Sequence, residues 1–268
     1  MSPVESRLLD SVLAPGGLRT LFHPIYEVSG AEGTKLWAVE ALIRGPRNTN
    51  LESAVTLFEF VRRKRAEPVV DRACIRTALG EARHIPNAPS IGLNVHASTL
   101  GRDPDFLSFL LQTALENEIA QERLIVEIVE QVPYYHERTF RRNLDQLRNR
   151  GIRVALDDVG VGHSNLRMIL ETRPQVLKID GTIVRGCHAD YYRWALLEWT
   201  QTLAARLGAW PLAEGIEDQA DLAAVTACGI RLVQGFVFCK PMPAAELAAV
   251  DLVARARLVL AELPLEAA

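Results

Sequence analysis

Residues 151–180 read GIRVALDDVGVGHSNLRMILETRPQVLKID. The stretch opens on Ile152-Arg153-Val154-Ala155-Leu156, whose length and apolar content predict a short buried strand. That strand delivers two adjacent carboxylates, Asp157 and Asp158, into a loop punctuated by Gly160 and Gly162. A second run, Val176-Leu177-Lys178-Ile179-Asp180, sets a lysine among Val, Leu and Ile. Charges at the exits of buried strands are costly unless paired or metal-bound, so both runs call for a functional explanation.

The same strand-then-helix rhythm extends in both directions. Eight strand candidates are predicted at Leu18–Val28, Leu36–Ile43, Ser90–His96, Arg123–Val129, Ile152–Asp157, Gln175–Ile179, Trp210–Ile216 and Arg231–Phe238. Helical periodicity fills most of the gaps, at Ser53–Lys64, Pro68–Arg83, Asp103–Asn117, Tyr134–Arg148, Ser164–Glu171, Thr182–Leu207, Gln219–Cys228 and Ala244–Leu263. Such alternation implies parallel strands joined by helical crossovers, and eight of them imply a (β/α)8 barrel. The first two strands are separated by only a short stretch around Ser29–Thr34, which suits a hairpin. One early strand is therefore expected to run antiparallel. A short helix over residues 4–13 precedes Pro15-Gly16-Gly17, so residues 1–17 read as an N-terminal helical segment and 18–268 as one barrel domain.

Bulk properties narrow the field. A chain of 268 residues with net charge −3 has room for a large core and no electrostatic reason to bind a nucleic-acid polymer. Its four cysteines are scattered, without CxxC spacing, and read as reduced thiols of a cytoplasmic protein. The opening MSPVESRLLD lacks the apolar core of a secretory signal, and no apolar run is long enough to insert in a membrane.

The polar residues that interrupt the strands carry the chemistry. They are Glu40, Asn94, Glu127, Asp157 (with Asp158 next to it), Lys178, Glu214 and Gln234, each from a different strand candidate. In a barrel the C-terminal strand ends converge on one face, so these residues are expected around a single cavity. Carboxylates and an amide offer hard oxygen ligands, which suit Mg2+ or Mn2+ better than zinc. Two ions bridged by one carboxylate, with Asp157 the natural bridge, would relieve the repulsion and suit in-line displacement at a phosphodiester. Lys178 should stay protonated among the acids, to orient water or neutralise developing charge; a salt-bridged structural lysine is the plainer alternative. His96, His163 and His188 share no ligand spacing, and Arg62-Arg63-Lys64-Arg65 reads as a solvated helix face.

These residues, in this order, resemble the EAL family of cyclic-di-GMP phosphodiesterases over about residues 18–250. Glu40-Ala41-Leu42 stands as the signature tripeptide, followed by Arg44; Asn94 sits in LNVHAS, Glu127 and Glu130 in EIVE, and Asp157-Asp158 open DDVGVGHSN. Lys178 sits in LKID, Glu214 and Glu217 in AEGIE, and Gln234-Gly235-Phe236 with Pro241 match the closing QGF…P stretch. The resemblance implies a modified TIM (β/α)8 barrel with one antiparallel strand near the N-terminus, and hydrolysis of cyclic di-GMP to linear pGpG with two Mg2+ or Mn2+ ions. It implies one metal on Glu40, Asn94, Glu127 and Asp157, and a second on Asp157, Asp158 and Glu214. Lys178 would contact the attacking water, and Glu217 is a further candidate to orient or deprotonate it. Leu42, Arg44, Gln234 and Pro241 would serve the nucleotide site, with Arg44 a phosphate partner, and Glu130 would anchor the loop after the aspartates. A homodimer and a regulatory protein partner also follow from the resemblance, because the family loop tends to link the metal site with dimerisation.

Three departures stand out. The family loop reads close to DDFGTGYSS, whereas Val159, Val161 and His163 replace Phe, Thr and Tyr; the lost Thr hydroxyl removes a partner for Glu130. His23 stands in FHPIY where the family usually has Gln, and these 268 residues are not expected to include a GGDEF or sensory domain. The altered loop is what favours a second reading, a catalytically weak or silent cyclic-di-GMP receptor or protein-interaction module. Against it, silent members usually lose metal carboxylates, and none is lost here. A third reading, a one-Mg2+ lyase or isomerase with Lys178 as base, fits the separate Asn94 and adjacent Asp157-Asp158 less well.

Overall fold

A computed structural model describes residues 3–85, 90–129, 136–160 and 165–263. Eight strands close into a barrel in sequence order: β1 (Arg19–Glu27), β2 (Lys35–Arg44), β3 (Ile91–His96), β4 (Leu124–Val129), β5 (Arg153–Val159), β6 (Val176–Ile179), β7 (Trp210–Ala213) and β8 (Leu232–Val233). β1 runs antiparallel to both β2 and β8, and every other neighbouring pair is parallel. The short hairpin after β1 has this consequence, since parallel neighbours need a crossover that six or seven residues cannot make.

The helices that wrap the barrel are α1 (Pro3–Leu13), α2 (Ala54–Arg63), α3 (Glu67–Ala82), α4 (Ala97–Arg102), α5 (Phe106–Glu116), α6 (Glu137–Asn149) and α7 (Asn165–Thr172). After them come α8 (Gly181–Val184), α9 (Tyr191–Leu207), α10 (Gln219–Ala227), α11 (Ala244–Ala248) and α12 (Leu252–Ala261). Two expected helices are each divided. Gly186, at φ +77°, breaks the one expected over 182–207, and α9 restarts where the Asp190 carboxylate accepts from the Tyr192 and Arg193 amides. Asp251 caps α12 in the same way through the Ala254 amide, dividing the one expected over 244–263. The last two strands are also shorter than expected. Gly215, at φ +67°, turns the chain out of β7, and Gly235 lies so close to the Ile216 backbone that a Cβ there would collide with it. No helix among the described residues is long and apolar enough to cross a membrane.

Inside the barrel, alternation along each strand builds two layers. The lower is apolar: Ile25, Ala38, Ile125, Ala155, Val176, Leu212 and Leu232, with Trp37 packed against them. Two residues further along each parallel strand, on the same face, stand Glu40, Glu127, Asp157, Lys178, Glu214 and Gln234. An apolar floor thus carries a polar layer, and the side-chain period of two residues fixes their separation. The larger core lies outside, between strands and helices, and includes Phe22, Phe106, Phe140 and Phe238.

The C-terminal end of β3 is held by a buried carboxylate from α3. Asp71 accepts from the His96 amide at 3.0 Å and from the Thr99 hydroxyl at 2.6 Å, and lies 2.9 Å from His96 Nδ1. Burial pulls the imidazole down, but the Asp71 charge and hydrogen bond outweigh it and hold His96 above its ordinary value. Removing one partner from a buried ion pair typically costs 3–5 kcal/mol. Asp71→Ala is expected to lower stability by about 3 kcal/mol in urea unfolding. A loss under about 1 kcal/mol would mean that the end of β3 is held by packing instead.

Candidate active site

The upper layer converges on Lys178, which is 1% exposed. Its Nζ lies 2.5 Å from Glu127 Oε2, 2.9 Å from Glu214 Oε1, 3.0 Å from Asp157 Oδ1 and 3.3 Å from Glu40 Oε1. Four strands therefore each bring a carboxylate to one ammonium from a fifth. An ammonium has three N–H groups and cannot donate well to four acceptors. The shortfall is visible: Glu127 Oε2 and Asp157 Oδ1 are buried without a hydrogen bond of good geometry, although both lie close to Nζ.

Amides complete the layer. Asn94 Nδ2 donates to Glu40 Oε1 at 2.9 Å, and Gln234 Nε2 donates to Glu40 Oε2 at 3.0 Å. Glu40 is thus fixed from three sides. Burial would push its carboxyl up, yet Lys178 and the two amides outweigh burial and hold it down at about 2. Glu127 responds the other way. Burial dominates, Glu40 and Asp157 add to it against Lys178, and its carboxyl rises to about 8. Burial and the Asp157 charge likewise raise Glu214 well above its ordinary value. For Lys178, burial is outweighed by Asp157, Glu127, Glu214 and Glu40, so the ammonium is held more firmly charged than usual. One cation for four acids leaves the layer short of positive charge.

Local backbone features place the two aspartates. The β5–β6 register shifts between Leu156 and Val159, a bulge at the mouth of the site. Asp158 sits in the left-handed region at φ +53°. Strict alternation would send Asp158 to the opposite face from Asp157; the bulge and the turned backbone keep it within the field of the cluster. Burial, then Asp157 and Asp180, raise its carboxyl to about 6. Gly92 is a position in the candidate site that sequence reasoning passed over. It pairs in register with Glu40, and a Cβ there would collide with the Glu127 carboxylate. Its place in IGLNVH, two residues before Asn94, was the available signal.

The remaining predicted residues lie around this layer. Leu42 and Arg44, on the same face of β2 as Glu40, are half-buried towards the mouth. Pro241 is half-buried beside β1, where Phe22 and Met242 exchange backbone hydrogen bonds of 2.7 and 3.0 Å. Glu217 is exposed and pairs with Arg185 Nη1 at 3.5 Å rather than with the cluster. His23 is buried opposite Glu40, its Nε2 3.2 Å from the Cys239 carbonyl. His188 is bound to Asp221 and not to the carboxylate layer. Glu130, Val161 and His163 lie outside the described residues.

A barrel opened by one antiparallel strand, with this ordered set on one interior layer, is matched by the family model "EAL domain" over residues 6–241. The chain belongs to the EAL domain family. One relative, "Probable cyclic di-GMP phosphodiesterase PdeI" of Escherichia coli, is 29% identical over 175 residues, 63% of this chain and 22% of that protein. This EAL chain therefore spans about a fifth of that relative's length. Among solved structures, a standalone versatile EAL protein from Vibrio cholerae in its c-di-GMP-bound form is 25% identical, with TM-score 0.72 over 85% of this chain and 93% of that one. Klebsiella pneumoniae BlrP1 in a manganese/cy-diGMP complex is 26% identical, with TM-score 0.74 over 86% of this chain and 57% of that one.

The titration of this EAL site has a sign that can be checked. Folded Glu127 keeps its proton up to about pH 8, whereas the unfolded chain releases it near 4.5. Between those values the folded state binds more protons, so raising the pH disfavours it; Asp158, raised from 3.8 to about 6, acts in the same direction. Glu40 acts oppositely, and its contribution is lost only as pH falls from 4.5 towards 2. Metal-free protein is expected to lose denaturant stability from about pH 5 to about pH 8, and Glu127→Gln to flatten that slope. An unchanged slope in the variant would exclude Glu127 as its source.

Proposed function

We propose that this chain is a metal-dependent phosphodiesterase that hydrolyses cyclic di-GMP to linear pGpG with two divalent ions, Mg2+ or Mn2+. The observation that carries the reading is the single layer of four carboxylates around Lys178, with two buried carboxylate oxygens left without proper donors. The donor set fits the ions: it is oxygen-only, rich in carboxylate and short of positive charge. The relatives support the same substrate: one is named a probable cyclic di-GMP phosphodiesterase, and two solved structures are complexes with the cyclic dinucleotide.

In this reading Glu40, Asn94, Glu127 and Asp157 hold one ion, and Asp157, Asp158 and Glu214 hold the second. When bound, such ions would supply polarisation of the phosphodiester and a lowered pKa for the attacking water. The protein's own groups do the rest. Asn94 and Gln234 fix the Glu40 carboxylate, and keeping it ionised keeps it a ligand at neutral pH. Lys178 is held charged and would orient the attacking water and offset charge on the phosphoryl oxygens. Glu217 reaches such a water only by releasing Arg185, so it stands behind Lys178 as a candidate. Leu42, Arg44 and Pro241 line the approach for the nucleotide. The water oxygen bonds to phosphorus as the P–O3′ bond breaks, and the proton lost by the water balances the one gained by the leaving 3′ oxygen.

The direct test is incubation with cyclic di-GMP and Mn2+, following pGpG by chromatography. Wild-type protein is expected to give pGpG, Asp157→Ala none, and Lys178→Ala a rate lower by about a hundredfold or more. Mn2+ should also raise the melting temperature of the wild type but not of Asp157→Ala. Nucleotide binding without any pGpG would reverse the assignment in favour of a receptor.

A further inference from the structure

Beyond the metal layer, the β1–β2 hairpin carries a second constellation towards the mouth. In register along the two strands, His23 faces Glu40, Leu21 faces Leu42 and Arg19 faces Arg44. Alternation puts all six on the same face, so Arg19 and Arg44 stand side by side about 13 Å along the strand from Glu40 (four residues at about 3.3 Å). A cavity of about 500 Å³ opens there, lined by Arg19, Leu21, Arg44, Glu52 and Ser53.

The charges in this cavity are unbalanced. Arg44 is half-buried, its Nη1 donates only to the Ile43 carbonyl, and it has no carboxylate partner among the described residues. Burial, then the neighbouring Arg19 charge, push its guanidinium down. Arg19 is only 28% exposed; its Nη2 meets Glu52, but its buried Nε has no partner. Glu52 is itself tied to the turn by accepting from the Asn48 amide at 3.1 Å. Two neighbouring guanidiniums are thus accompanied by one carboxylate, paired to Arg19 alone, with an unfilled donor at the back. Such an arrangement favours an anion between them, and a guanidinium fork suits a phosphate oxygen pair.

We infer that Arg19 is a second anion-binding residue, which with Arg44 holds the phosphodiester of a cyclic dinucleotide that is not being cut, while Glu52 moderates its grip. The inference rests on the proposed ligand and deepens it. A cyclic dinucleotide carries two phosphodiesters; the one on the metal layer has carboxylate-bound cations for counter-charge, and the other needs protein cations. Glu52 then acts in opposition to the ligand, competing for the same guanidinium.

The test measures the Kd for cyclic di-GMP by calorimetry, with Ca2+ in place of a catalytic ion, for wild type, Arg19→Gln, Arg19→Lys and Glu52→Gln over a range of KCl. Arg19→Gln is expected to weaken binding about tenfold and to make it less salt-dependent, with partial recovery in Arg19→Lys. Glu52→Gln is expected to shift Kd the opposite way, tightening binding, because it frees Arg19. A purely structural Arg19–Glu52 pair would move both variants in the same direction, and that result would overturn the inference, as would an Arg19→Gln Kd within about twofold of wild type. Absence of binding in the wild type would instead remove the proposed ligand, and the role of Arg19 with it.

Discussion

The buried ammonium of Lys178 is the constraint around which the interior of this barrel is arranged. A lone lysine at 1% exposure would be driven neutral by desolvation. Four carboxylates within 3.3 Å prevent that, and in turn are tolerated only because the lysine is there. The match is incomplete in one direction: one positive charge faces four acids. A protein built for stability alone would do better with apolar residues in such a layer, since buried ion clusters rarely repay their desolvation. The excess of acid fits the proposed ion-binding role.

The barrel tolerates this because the strain is confined to one stratum. Below the carboxylates lies an apolar floor of Ile25, Ala38, Ile125, Ala155, Val176, Leu212 and Leu232, closed by Trp37. Trp37 meets Trp210 edge-on at 5.9 Å, and the Arg153 guanidinium lies 5.5 Å from its ring. The acids sit in a low-dielectric cup open towards the strand C-termini, where a charged ligand meets the field at its strongest. The antiparallel β1 adds to this arrangement by setting Arg19, Leu21 and His23 against β2, so that cationic and apolar groups flank the acidic floor of the mouth.

Much of this was legible in the sequence because two periodicities agree. Strand alternation put Glu40, Glu127, Asp157, Lys178, Glu214 and Gln234 each two residues beyond an apolar interior position, and the eightfold strand–helix rhythm brought those positions to one level. The short hairpin gave the antiparallel strand. What periodicity does not encode was missed. The β5 bulge that retains Asp158 is a backbone irregularity, and Gly92 matters for the volume it leaves to Glu127, which a list of chemical groups does not show. Gly186, Gly215 and Asp251 end or divide elements that hydrophobic pattern alone carried through. Glu217, grouped with Glu214 by a shared motif, stands at the rim on Arg185, because Gly215 turns the chain between them.

Under the proposed function, Lys178 would share its carboxylate layer with two divalent ions. Diffraction from crystals grown with Mn2+, with anomalous scattering to locate the metal, tests it most directly. Two manganese peaks are expected about 4 Å apart, on either side of Asp157, with Lys178 drawn off the centre of the layer. Saturating Mn2+ that leaves no peak there, with Lys178 still bound to Glu40, Glu127, Asp157 and Glu214, would show a structural salt-bridge cluster and contradict the account.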